Sequence, residues 1–128
     1  MTQDERDLLL QDLCGRLPYK VMAQYYDPED ECETWDEIEG IESSGHVEIG
    51  QYVLPIENIK PYLYPMSSMT KDQKKEYNNL CETILDDFGY PASFDTVDSL
   101  DWLNKNRFDF RGLIPMGLAN DATGKKIY

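Results

Sequence analysis

The 128-residue sequence predicts an α+β fold: an N-terminal helix, a small antiparallel β-sheet or partial barrel of three to five strands, then two C-terminal helices and a docked tail. Three observations carry this. Apolar residues recur at helical spacing towards both ends of the chain, with residues able to cap the runs just ahead of them. Between Pro18 and Pro65 the pattern changes to alternation with a period of two, punctuated by turn residues. Apolar residues make up 41% of the chain and aromatic residues 12%, enough for one compact core. A single domain over residues 1–128 is expected, with a helix in 1–17, a β region in 18–65 and a helical region in 66–128.

The first helix is expected over about residues 3–15. Thr2 and Glu5 have the spacing of a capping box, Leu9, Leu10, Leu13 and Leu17 form its apolar stripe, and Gly15 followed by Pro18 marks its end. Next, Tyr19, Val21, Ala23 and Tyr25 alternate with Lys20, Met22, Gln24 and Tyr26 as in a strand, which Asp27-Pro28-Glu29-Asp30 turns back. A second strand is expected at Thr34–Ile41. After the turn Ser43-Ser44-Gly45, His46–Ile49 and Gln51–Leu54 read as short strands split near Gly50.

The stretch from Ile56 to Pro65 reads as a proline-punctuated connection that packs its Ile and Tyr side chains across the sheet. Thr70 and Gln73 repeat the capping-box spacing, and Tyr77, Leu80, Cys81, Ile84, Leu85 and Phe88 follow as one stripe. They predict a helix of about five turns stopped by Gly89 and Pro91. A third helix is expected at Thr96–Asn106, capped by Thr96, with Val97, Leu100 and Leu103 inward. The apolar segment Phe108–Leu118 is expected to dock onto the core, because left in water it would be insoluble.

Net charge is −13, and it is uneven: residues 1–60 hold 15 acids and 4 bases, residues 61–128 hold 10 acids and 8 bases. Between Lys20 and Lys60 there are 11 acids and no base. Such a field repels phosphates, so no direct nucleic acid and no membrane surface is expected as a partner, whereas a basic protein surface is compatible. Cys14, Cys32 and Cys81 are odd in number and lack a C-x-x-C pair, so they are read as buried or inert thiols rather than a disulfide framework or zinc site. The acidic start Asp4-Glu5-Arg6-Asp7 is unlike a secretory leader, and Leu8-Leu9-Leu10 is too short to span a bilayer. A cytoplasmic location is the expectation.

The nine acids of Asp27–Glu42 are the most informative feature. A partner-binding surface is read on Asp30, Glu31, Glu33, Trp35, Asp36, Glu37, Glu39 and Glu42. On a strand, Glu33, Trp35, Glu37 and Glu39 share one face and Asp36 lies on the other. Carboxylates around one tryptophan suit docking on a Lys/Arg-rich surface, although the same charge could merely guard an edge strand. Asp27-x-Glu29-x-Glu31 is faintly like a calcium loop, but Cys32 stands where that loop needs Gly and Ile38 where it needs Glu.

Catalytic signals fail in turn. His46 is the only histidine, and Ser68-x-x-Lys71 lacks the partner motifs its chemistry needs. No phosphate-binding glycine loop occurs, no cofactor is implied, and the chain reads as non-enzymatic. The alternative ligand site is Arg107, Phe108, Phe110 and Arg111, where guanidinium and aromatic planes could hold a nucleotide-like molecule. Packing of the two phenylalanines, with both arginines reaching outward, explains the same residues.

Lys60-Pro61-Tyr62-Leu63-Tyr64-Pro65-Met66-Ser67-Ser68-Met69-Thr70, Trp102-Leu103-Asn104 with Phe108-Asp109-Phe110-Arg111-Gly112-Leu113-Ile114, and Leu8–Tyr19 together resemble a family of short uncharacterised proteins common in Bacteroides-type gut bacteria and their prophages. No activity attaches to that family, so the resemblance transfers no functional residue. It implies a phage setting, where small acidic proteins disable host defence enzymes by covering a basic groove, as anti-CRISPR proteins do. The acidic β region, about Gln24–Tyr52, departs freely from the family pattern.

Overall fold

The computed structural model describes every residue from Met1 to Tyr128. Helix α1 spans Gln3–Arg16, and its capping box is complete: the Thr2 hydroxyl accepts from the Glu5 amide (3.1 Å) while the Glu5 carboxylate accepts from the Thr2 amide (2.8 Å). Leu9 and Leu13 are fully buried. The helix does not stop at Gly15. It continues to Arg16, and Leu17 caps it in a right-handed conformation. Gly15 instead lets the helix approach Asn104, whose amide nitrogen would stand 3.5 Å from an added Cβ.

Strands β1 (Met22–Asp27), β2 (Cys32–Ile41), β3 (His46–Ile49) and β4 (Tyr52–Pro55) form an antiparallel meander. Two 3₁₀ turns, Ile56–Asn58 and Met66–Ser68, flank β5 (Ile59–Pro65). The expected connection at Ile56–Pro65 is therefore mostly a strand, and a central one. Prolines argue against a continuous ladder, yet β5 needs none, because three partners share it. Its residues Ile59–Pro61 pair antiparallel with β1, Tyr62–Leu63 pair parallel with β9 (Asn120–Asp121), and Tyr64–Pro65 pair parallel with β8 (Phe108–Asp109).

The sheet is thus mixed, has seven strands, and is not closed into a barrel. Seven exceeds the expected three to five because the connection supplies β5 and the docked tail contributes β8 and β9. On one face the sheet buries Val21, Ala23, Tyr25, Ile38, Val47, Ile49, Ile59 and Leu63 against Leu9 and Leu13 of α1 and against Leu113, Leu118 and Ala119 of the tail. On the other, Met22, Tyr62 and Ala122 form a smaller cluster.

Helix α2 is shorter than expected, Lys71–Leu80, and buries no residue. The periodic run beyond it is a separate hairpin, β6 (Glu82–Leu85) with β7 (Pro91–Phe94). The helix ends where Cys81 takes extended backbone, and the Thr96 hydroxyl, distant in sequence, donates to the Leu80 carbonyl (2.7 Å). The hairpin turn is set by Asp86, which accepts from the amides of Phe88 (2.9 Å) and Tyr90 (2.8 Å), and by Gly89 at φ +82°.

Helix α3 spans Val97–Lys105 with Thr96 as its N-cap, and Leu103 is buried as expected. Val97, expected inward, is 76% exposed: it is the first helical residue, on a turn that no element covers. Trp102 stacks on Phe108 (centroids 5.5 Å apart, planes at 13°), tying α3 to the sheet. All three thiols are free, but Cys14 and Cys32 are exposed rather than buried. No helix is long and apolar enough to cross a membrane.

Candidate functional site: the acidic β1–β2 hairpin

The β1–β2 register fixes where the acids lie. Glu33 faces Tyr26, Trp35 faces Gln24 and Glu37 faces Met22, so these six side chains share one face of the sheet. Trp35 is 43% exposed there. Lys60 of β5 lies opposite Gln24 on the same face, with Gln24 between it and Trp35.

The other face carries Asp36, opposite Ala23. The expected grouping of Glu39 with Glu33, Trp35 and Glu37 is corrected by a β-bulge. Ile38 faces Ile49 and Gly40 faces Glu48, which leaves Glu39 as the extra residue and reverses the alternation. Glu39 then joins Asp27, Glu29 and Asp36 around a cleft of about 440 Å³, walled by Tyr25, Gly50, Gln51 and Tyr52.

Gly50 is essential to that wall. Its φ is +60°, and an added Cβ would stand 2.5 Å from the Tyr25 hydroxyl oxygen. Asp30 and Glu31 sit at the β1–β2 turn, where Asp27 accepts from the amides of Glu29 (2.9 Å) and Asp30 (3.3 Å) and Glu31 adopts φ +52°. Glu42 lies at the far end of β2, in the β2–β3 turn with Ser44 and His46.

Of the nine acids, Asp27 is half-buried and the other eight are exposed. The three ion pairs of the structure, Arg6–Glu57, Arg16–Asp12 and Arg111–Asp12, use none of them. No base of the C-terminal half therefore forms an ion pair with the hairpin's acids. Within the cleft, the Tyr52 hydroxyl donates to Asp27 (2.8 Å). That bond holds the Asp27 carboxyl below its ordinary range, against a smaller opposing effect of burial. Desolvation and the Asp27 carboxylate push Tyr52 up to about 12. Desolvation first, then Asp36, Asp27 and Asp30, raise Tyr25 as well. The cleft thus presents carboxylates and neutral phenols. No three His, Cys, Asp or Glu side chains converge closely enough to hold a metal ion.

The alternative ligand residues are not brought together. Arg107, at φ +63°, donates through Nε to the Lys20 carbonyl (2.6 Å) and lies 4.0 Å over the Tyr128 ring. It borders a cleft of about 340 Å³ with Tyr64, Ser68, Gln73 and Tyr128. Phe108 reaches that cleft but is 2% exposed, committed to its stack with Trp102. Arg111 and Phe110 belong to another cluster. Arg111 pairs with Asp12 (3.2 Å), and its guanidinium lies 4.7 Å over Phe110, with Arg16 5.4 Å from the same ring.

Sequence reasoning missed Tyr25, Tyr52 and Gly50 as parts of the acidic cleft. The split of two strands at Gly50 was the available signal. The bulge that brings Glu39 to them had none. Comparison with protein-family models, curated proteins and solved structures finds no match for this chain.

Proposed function

We propose that this chain is a small acidic, non-enzymatic interaction protein that docks its β1–β2 hairpin on a basic surface of a nucleic-acid-handling protein. In the phage setting that its motifs resemble, it acts as an inhibitor of host defence. The observation that carries the reading is the unpaired state of the nine acids from Asp27 to Glu42 on both faces of one hairpin. Carboxylates spaced along a strand offer a guanidinium-lined groove the charge and acceptor geometry of a phosphate backbone. Trp35, half open beside Glu33 and Glu37, supplies the aromatic anchor that long-range charge alone lacks.

The test is capture of a partner by the wild-type protein and by a Glu33→Lys/Trp35→Ala/Glu37→Lys variant, with salt raised stepwise. The reading expects a partner with a basic groove, released by added salt, by competing nucleic acid and by the variant. A partner held equally by both proteins at every salt concentration overturns it.

A second reading, a small-molecule or nucleotide binder or sponge, keeps one favourable observation: the Arg107 guanidinium over Tyr128 at the edge of the 340 Å³ cleft. It now rests on Arg107 without Arg111. Nucleotides at millimolar concentration should raise the melting temperature of the wild type and not of Arg107→Ala; no shift removes the reading.

A further inference from the structure

The β6–β7 hairpin is open to solvent along nearly its whole length: all four residues of β6 are exposed, and so are three of the four in β7. What it exposes is apolar. Leu85 is 65% accessible, Phe88 87% and Tyr90 69%, and Ile84, Phe94 and the neighbouring Val97 are at least half open. Register places Ile84 opposite Ala92 and Leu85 opposite Pro91, so apolar side chains occupy both faces, with Phe88 in the turn. An isolated two-stranded hairpin is marginal in water, and exposed clusters of this kind mark interaction surfaces.

The charge around the hairpin selects what can cover it. From Glu76 to Asn104 the chain holds seven acids (Glu76, Glu82, Asp86, Asp87, Asp95, Asp98 and Asp101) and no base. A second copy would set these acids against themselves, in a molecule already at net −13. An anionic bilayer is repelled in the same way. We propose that the β6–β7 hairpin is a second docking element, which inserts Leu85, Phe88 and Tyr90 into an apolar groove rimmed by lysine and arginine on a partner protein. This surface is distinct from the β1–β2 hairpin and does not depend on it.

The test uses a synthetic amphipathic helix with leucine on one face and lysine on the other, titrated into the intact protein and followed by backbone amide NMR. Shifts are expected at residues 82–94, with an affinity lowered about tenfold or more in Phe88→Ser. Phe88 lies in the turn, so its loss leaves the body folded; Leu85→Ser, checked by circular dichroism, gives a second measurement. A control helix with serine in place of leucine should spare residues 82–94, while any shifts it produces at β1–β2 report on the first surface alone. The proposal is overturned if the leucine–lysine helix moves only β1–β2, or if Phe88→Ser binds it as the wild type does. Tighter binding of the hairpin to phosphatidylcholine vesicles, or a dimer in sedimentation that Phe88→Ser abolishes, also overturns it, in favour of a membrane or a second copy.

Discussion

Asp12 and Arg16, one helical turn apart and both fully buried, make the most demanding local arrangement in the molecule. Arg16 donates twice to Asp12 (2.8 and 3.0 Å) and once to the Phe108 carbonyl (2.7 Å), while its Nη1 has no partner. Removing one partner of a buried pair strands the other charge, which costs about 3–5 kcal/mol. Asp12→Ala is expected to destabilise by that amount in denaturant unfolding. Arg111→Ala, at the partly exposed rim of the same carboxylate, should cost less than about 1 kcal/mol. Residue chemistry also sets a pH response in the acidic cleft. Asp27 is depressed in the fold, so its contribution is present above the ordinary carboxylate range near pH 4 and is lost as pH falls through the lowered value. Tyr52→Phe should raise the Asp27 pKa, as read by carboxyl NMR, and weaken that acid-side contribution. Tyr52 itself is raised. Its effect is intact below about pH 10 and disappears as pH climbs through about 12, where tyrosinate absorbance should appear late.

Among the elements, capping chemistry was the most legible part of the sequence. All three helices begin where Thr2, Thr70 and Thr96 place them, because an N-cap is a local bond between residues three apart. Ends were harder. The 3-1-3-1-3 spacing of Tyr77 to Phe88 fits a helix as well as it fits a helix followed by a hairpin. What decides between them is Asp95, distant in sequence, which accepts from Tyr77, from Ser99 (3.0 Å) and from the Cys81 thiol (3.9 Å). Asp95→Ala should therefore release the base of the hairpin while leaving the sheet intact. In hydrogen exchange, amides of residues 82–94 are expected to lose protection equivalent to about 1–3 kcal/mol, with those of β1 and β5 unchanged. Strand β5 escaped notice for a related reason: its partners β8 and β9 come from the tail, and no periodicity in residues 56–65 announces them.

At the scale of the whole molecule, the α+β class, the three helix starts and the docked tail were readable from patterning and composition, whereas β5, the β6–β7 hairpin, β8 and β9 were not. The distribution of charge was readable in amount and only partly in place, since the bulge at Glu39 and the separate positions of Arg107 and Arg111 arise from tertiary packing. With a net charge of −13 and three ion pairs, self-repulsion outweighs pairing. Screening should then stabilise the fold: the melting temperature is expected to rise when sodium chloride goes from a few millimolar to physiological levels. A fall would show that the ion pairs dominate.

The shared ladder of β5 has a consequence for biogenesis. Residues Tyr62–Pro65 leave the ribosome with α1 and the meander already made, yet the segments that zip against them are synthesised more than 40 residues later. Until then the nascent domain carries an unzipped border of bare amides and carbonyls, a site where other chains can add on. A fragment ending after Lys105 should therefore aggregate in light scattering where the full chain stays clear.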